Sequence, residues 1–112
     1  MAEGERRRYT RFRIPLRITV KGRGLAETCI AAEVGMGGCR VTLSRALPEG
    51  SPLQVELFAD GLAQSLGGGA QVAWVASKAP FETGLSFAPA LVEAMGPFLR
   101  ALVGGASLTP VS

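Results

Sequence analysis

From Phe12 the chain alternates. Phe12, Ile14, Leu16, Ile18 and Val20 are apolar, and Arg13, Pro15, Arg17, Thr19 and Lys21 fall between or after them. Five apolar positions at period two predict one half-buried strand. Pro15 falls on its polar side, which suits an edge or barrel-rim strand because proline has no N–H for the ladder. Gly22-Arg23-Gly24 reads as a turn, Leu25–Val34 as a less regular strand, and Gly35-Met36-Gly37-Gly38 as a break in regular structure. Cys39, Val41 and Leu43 alternate again, as do Leu53, Val55 and Leu57, with the turn-forming Leu47–Pro52 between them. Asp60-Gly61 and Gly67-Gly68-Gly69 bracket a predicted loop. Gln71–Ala76 is rich in β-formers, and period two puts Val72 and Trp74 on one face, so Trp74 is expected in the core. Thr83, Leu85 and Phe87 complete the set. Short strands at near-regular spacing, with turn chemistry between them, predict a mainly β fold, a small barrel or sandwich.

The tail changes period. Leu91, Met95, Phe98, Leu99 and Leu102 fit one face of a helix, with Pro89 suited to its first turn. Gly96-Pro97 lies inside this pattern and predicts a kink or a split, which leaves two pieces, 90–95 and 97–103, and one helix equally open. Gly104-Gly105 predicts the stop.

Composition narrows the chemistry. The chain has 112 residues, one domain's worth, and is 47% hydrophobic, enough for a buried core. It has no histidine, which removes the commonest general base and metal ligand. Cys29 and Cys39 alone cannot supply a four-ligand zinc site and are expected as small buried hydrophobes. The carboxylates are scattered, and no catalytic constellation can be named, so an enzyme is not expected. Neither a signal peptide nor a membrane-length apolar run is visible, and the expected location is the cytoplasm. The net charge of +3 conceals an asymmetry. Residues 1–23 carry eight basic and two acidic side chains, a balance of +6, and residues 24–112 carry four and seven, a balance of −3. An anionic partner is therefore expected at the N-terminal end.

Three segments carry a resemblance. Arg7-Arg8-Tyr9-Thr10-Arg11 forms an R-x-x-x-R motif just before the first strand. Glu33-Val34-Gly35-Met36-Gly37-Gly38 stands at the turn between the second and third predicted strands, and Gly84-Leu85-Ser86-Phe87 ends the last one, preceded by Val72-Ala73-Trp74-Val75. This arrangement, over Arg6 to Val103, resembles a PilZ domain. The resemblance implies a six-stranded antiparallel β-barrel with a C-terminal helix, and binding of the bacterial second messenger cyclic di-GMP with relay to a protein partner. It implies a basic arm at 6–11, a barrel over 12–88 and a helix over 89–103, flanked by a disordered 1–5 and a loose 104–112.

The ligand-binding residues it implies are Arg7, Arg8, Arg11, Glu33, Gly35 and Gly38. Arginine's planar fork matches phosphate oxygens and the O6/N7 edge of guanine, and it stacks on bases. The family carries [D/N]-x-S-x-x-G where this chain has Glu33, Gly35 and Gly38. Glu33 keeps an acceptor one methylene longer, Gly35 removes a hydroxyl, and Gly38 keeps the last glycine, expected in a tight turn. One neutral hydrogen bond is worth about 0.5–1.5 kcal/mol, so these departures predict weakened or absent binding. Two other readings stay open. One is an adaptor that has lost the nucleotide and works by protein contact. The other is nucleic-acid binding through the basic arm, against which stand the net acidic remainder and only seven aromatics for stacking. No cofactor other than the cyclic di-GMP ligand is implied.

Overall fold

The computed structural model describes residues 11–12, 16–59, 65–105 and 110–111. Among the described residues, nine strand segments and one helix run in the order β1 Arg11–Phe12, β2 Leu16–Gly22, β3 Leu25–Ala31, β4 Glu33–Gly35, β5 Gly38–Leu43, β6 Pro52–Phe58, β7 Leu66–Val75, β8 Phe81–Phe87, α1 Pro89–Gly105 and β9 Pro110–Val111. Hydrogen bonding orders them β3-β2-β6-β7-β8-β5-β4-β1-β9, all antiparallel. Six of the nine are six to ten residues long, and β1, β4 and β9 are short pieces of two or three residues, so the mainly β fold is as expected while the strand count differs slightly from six. The sheet curls until β3 meets β5, where Ala32 N–H donates to the Arg40 carbonyl at 2.8 Å and Ser44 N–H to Glu27 at 3.0 Å.

The inner face is the apolar half of each alternating strand. Leu16, Ile18 and Val20 from β2, Cys39, Val41 and Leu43 from β5, Leu53, Val55 and Leu57 from β6, and Leu85 and Phe87 from β8 are all buried. Helix α1 adds Leu91, Met95, Leu99 and Leu102. Each fully buried apolar side chain contributes about 1.5–3 kcal/mol of burial, so this stripe is what holds the helix to the sheet. Cys39 is buried as expected, whereas Cys29 is only half-buried.

Three local expectations are corrected. The alternation from Phe12 to Val20 is not one strand: Phe12 pairs with Val34 on β4, whereas β2 begins at Leu16 and pairs with β3 and β6. Pro15 lies outside the described residues. Gly67-Gly68-Gly69 do not bound a loop but sit inside β7, opposite Glu56, Val55 and Gln54. A side chain at Gly68 would meet Leu91 at 3.0 Å, so the absence of one lets the helix rest on the sheet. Of the two readings left open for the tail, one helix is the one observed, with Pro97 inside it. Pro97 and Glu93, the residue whose carbonyl loses its bond, are both exposed, so water satisfies the freed acceptor. Finally, α1 runs through Gly105 and Pro110–Val111 pair with β1, within the segment 104–112 read as loose.

Candidate functional site

The second motif occupies the strand pair β4–β5 and the turn between them. Gly37 accepts from Phe87 N–H at 2.9 Å, tying the turn to the end of β8. Met36 packs against the core, with its methyl 3.6 Å from where a side chain on Gly96 of α1 would start. Gly38 opens β5 opposite Ser86, and an added Cβ would lie 2.0 Å from the Leu85 carbonyl oxygen. Its φ is not in the left-handed region, so the glycine serves the close approach of β5 to β8 and not a tight turn. Gly35 ends β4, buried, directly opposite Arg11 of β1.

The R-x-x-x-R motif is described in part. Arg7 and Arg8 lie outside the described residues, and Arg11 is placed by its backbone, paired with Gly35 on one side and Val111 on the other. The sheet thus sets the last residue of the arginine motif beside the middle of the second motif.

Glu33 stands opposite Arg40 on β5. Arg40 Nη2 donates to its carboxylate at 2.9 Å, and Arg40 Nη1 donates at 2.8 Å to Glu82 on β8. The guanidinium therefore bridges two acids on the strands that flank it. The side chains are 13% exposed at Glu33, 28% at Arg40 and 47% at Glu82, so the bridge lies at the surface with Glu33 its most sheltered member.

Trp74 extends this line. Arg40 pairs with Gly84, and Gly84 with Trp74, so Glu33, Arg40, Gly84 and Trp74 make one row across the outer face of four strands. The indole is 41% exposed, which overturns the expectation of a core tryptophan. The cause is a β-bulge. Val72 faces Leu85, Trp74 faces Gly84 and Val75 faces Thr83, so Ala73 is an extra residue and Trp74 turns outward. The ring lies on the backbone of Gly84, where an added Cβ would come 2.1 Å from Nε1. Beside the row, Pro52, Gln54, Gln71 and Ser86 line an open groove of about 530 Å³.

Sequence reasoning therefore missed Arg40 and Trp74. Arg40 has no motif position, though its place seven residues after an acid on the polar side of a strand was a usable sign of a cross-strand pair. Trp74 was hidden by the bulge, which no periodicity marks. Among the described residues no group of three or more potential metal ligands occurs, and no helix is long and apolar enough to cross a membrane.

A curled antiparallel sheet with a C-terminal helix, bearing an acid, a guanidinium and an indole in a row on its outer face, defines a small β-barrel-type domain. The PilZ domain family model matches residues 5–102, and the chain belongs to that family. Among solved structures, the chain is similar to the Bacillus subtilis inhibitor of motility MotI/DgrA at 15% identity and TM-score 0.67, covering 88% of this chain and 52% of that one. It is similar to Escherichia coli YcgR in complex with cyclic di-GMP at 18% identity and TM-score 0.67, covering 89% of this chain and 47% of that one. The isolated PilZ domain of YcgR with cyclic di-GMP gives 18% identity and TM-score 0.64, covering 89% of this chain and 93% of that domain. The chain thus spans about half the length of MotI/DgrA and of full YcgR. No curated protein sequence matches it.

Proposed function

We propose that the chain is a cyclic di-GMP receptor domain of the bacterial cytoplasm that passes the ligand's presence to a protein partner. The observation that carries this reading is the β1–β4 pairing, which puts Arg11 opposite Gly35 and so joins the arginine arm to the strand of Glu33. Arg7, Arg8 and Arg11 clamp the phosphates and guanine edges, as the planar fork of arginine suits. Glu33 accepts from a guanine, and Trp74 offers the open face of its indole to a base. Gly35 and Gly38 keep the strand surfaces flat beneath the ligand. YcgR, whose PilZ domain shares this fold, has been solved with cyclic di-GMP. Isothermal titration with cyclic di-GMP tests the proposal: wild type should release saturable heat, and the Arg7→Ala/Arg11→Ala double variant should lose it. Absence of heat from wild type at high micromolar ligand contradicts it.

A second reading draws on Gly35. Without the hydroxyl at that position one ligand contact is missing, and a domain that has given up the nucleotide would act as an adaptor through protein contact alone. In that case wild type and the arginine variant behave alike toward the dinucleotide, and recovery of a protein partner is independent of it.

A further inference from the structure

The R-x-x-x-R and second motifs leave one charged side chain of the outer-face row without a role. Arg40 lies between the acid of the second motif and the exposed indole, and its two bonds run to acids on different strands: Glu33 on β4 at 2.9 Å and Glu82 on β8 at 2.8 Å. Glu33 is a longer acid than the aspartate or asparagine that the motif resemblance implies, with one more torsion to fix. A side chain of that length ordered by nothing would offer its carboxylate over a range of positions. The 2.9 Å bond removes that freedom and sets the oxygen at a defined place in the row. The bond also bears on charge. Glu33, Arg40 and Glu82 together carry one net negative charge, on a surface that a doubly charged anion has to approach.

We infer that Arg40 is the positioning residue of this site: strung between Glu33 and Glu82, it fixes the Glu33 carboxylate and offsets its charge toward a phosphodiester dinucleotide, with Glu82 a counterweight that holds affinity down. The inference rests on the cyclic di-GMP reading above and deepens it. Removing Arg40 takes the 2.9 Å bond from Glu33 and one positive charge from beside the two carboxylates. Neutralising Glu82 takes the local charge from −1 to 0 and leaves Arg40 wholly to Glu33. The two changes therefore act on affinity in opposite directions, which a merely structural bridge does not do, since breaking such a bridge from either end has the same sign.

The test titrates the full chain with cyclic di-GMP at low and moderate salt, for wild type, Arg40→Ala, Arg40→Lys, Glu82→Gln, Glu33→Gln and the Glu33→Gln/Arg40→Ala double variant, with thermal melts run alongside. Arg40→Ala should weaken binding about tenfold or more, the scale of a charge-assisted hydrogen bond, with Arg40→Lys between it and wild type. Glu82→Gln should tighten binding about threefold, a gain that shrinks as salt rises. In the Glu33→Gln background, Arg40→Ala should weaken binding much less than it does in wild type, because it acts through Glu33. Unchanged affinity in Arg40→Ala, or weaker binding in Glu82→Gln, overturns the inference while the wild-type titration leaves the receptor reading standing. Absence of binding by both wild type and Glu82→Gln overturns both.

Discussion

A methyl group added at Gly84 would collide with the Trp74 indole, whose Nε1 lies 2.1 Å from the added carbon. A collision of that depth moves the ring or the strand, and overpacking of this kind costs about 1–3 kcal/mol. Gly84→Ala should therefore lower the denaturation midpoint and shift the emission of the chain's single tryptophan. Gly38→Ala should cost at least as much, since its obstacle is the Leu85 carbonyl oxygen at 2.0 Å, a backbone atom that cannot rotate away. Gly69→Ala should instead be stabilising by about 0.5–1 kcal/mol, because the nearest atom is the Ala88 methyl at 3.6 Å and a strand glycine carries an entropic cost. Urea denaturation of the three variants checks the order. Cys29 makes a different point. Burial, and then the Glu27 carboxylate, push its thiol from 9.0 up to about 11. Thiolate is the reactive form, so alkylation of Cys29 at pH 8 should be much slower in the folded chain than in the urea-unfolded chain. By linkage, its contribution to stability is whole below pH 9 and is lost as pH rises from about 9 to about 11, where only the unfolded chain releases the proton. Equal alkylation rates in the two states contradict this placement.

Among the elements, the β2–β3 hairpin was the most legible. Gly22-Arg23-Gly24 reads as a turn in the sequence, and in the fold Gly22 pairs with Leu25 across the two-residue loop Arg23–Gly24. Both loop residues have positive φ, 54° and 78°, as the right-handed twist of a hairpin favours. Arginine at positive φ is strained, and asparagine tolerates that region better, so Arg23→Asn should recover part of the roughly 1–2 kcal/mol cost and raise the melting temperature. A lower melting temperature contradicts the turn assignment. The alternating runs of β2, β5, β6 and β8 were equally legible, because each has one face in the core. Two features escaped for physical reasons. The bulge at Ala73 inserts one residue into the pairing, and nothing in QVAWVA marks it, so Trp74 was assigned to the wrong face. The glycines of β7 look like loop punctuation in sequence, whereas Gly68 answers to Leu91 of α1, a residue 23 positions away. For the same reason, cross-strand partners stay out of sight in a linear pattern: Glu33 was named as a candidate from its motif, but the Arg40–Glu82 bridge that holds it needs the register of three strands.

Taken whole, the molecule divides its charge. The +6 of residues 1–23 enters a fold whose remainder is net acidic, and the strand order brings the last arginine of the R-x-x-x-R motif onto β1, next to β4. From β4 the row Glu33, Arg40, Gly84, Trp74 runs across four strands. The sheet therefore places acid, guanidinium and indole in sequence along one surface, although Glu33 and Trp74 come from segments some forty residues apart along the chain. The same layout makes the site self-reporting. Trp74 is the sole tryptophan, is 41% exposed and stands at the far end of the row from the arm. A base stacked on the indole changes its emission, so titrating cyclic di-GMP against Trp74 fluorescence tests the central claim directly. Wild type should show a saturable change that disappears in the Arg7→Ala/Arg11→Ala variant, even though Arg11 pairs on β1, at the other side of β4 from Trp74. Emission that stays flat through high micromolar ligand, or a change that persists undiminished without the two arginines, would contradict it.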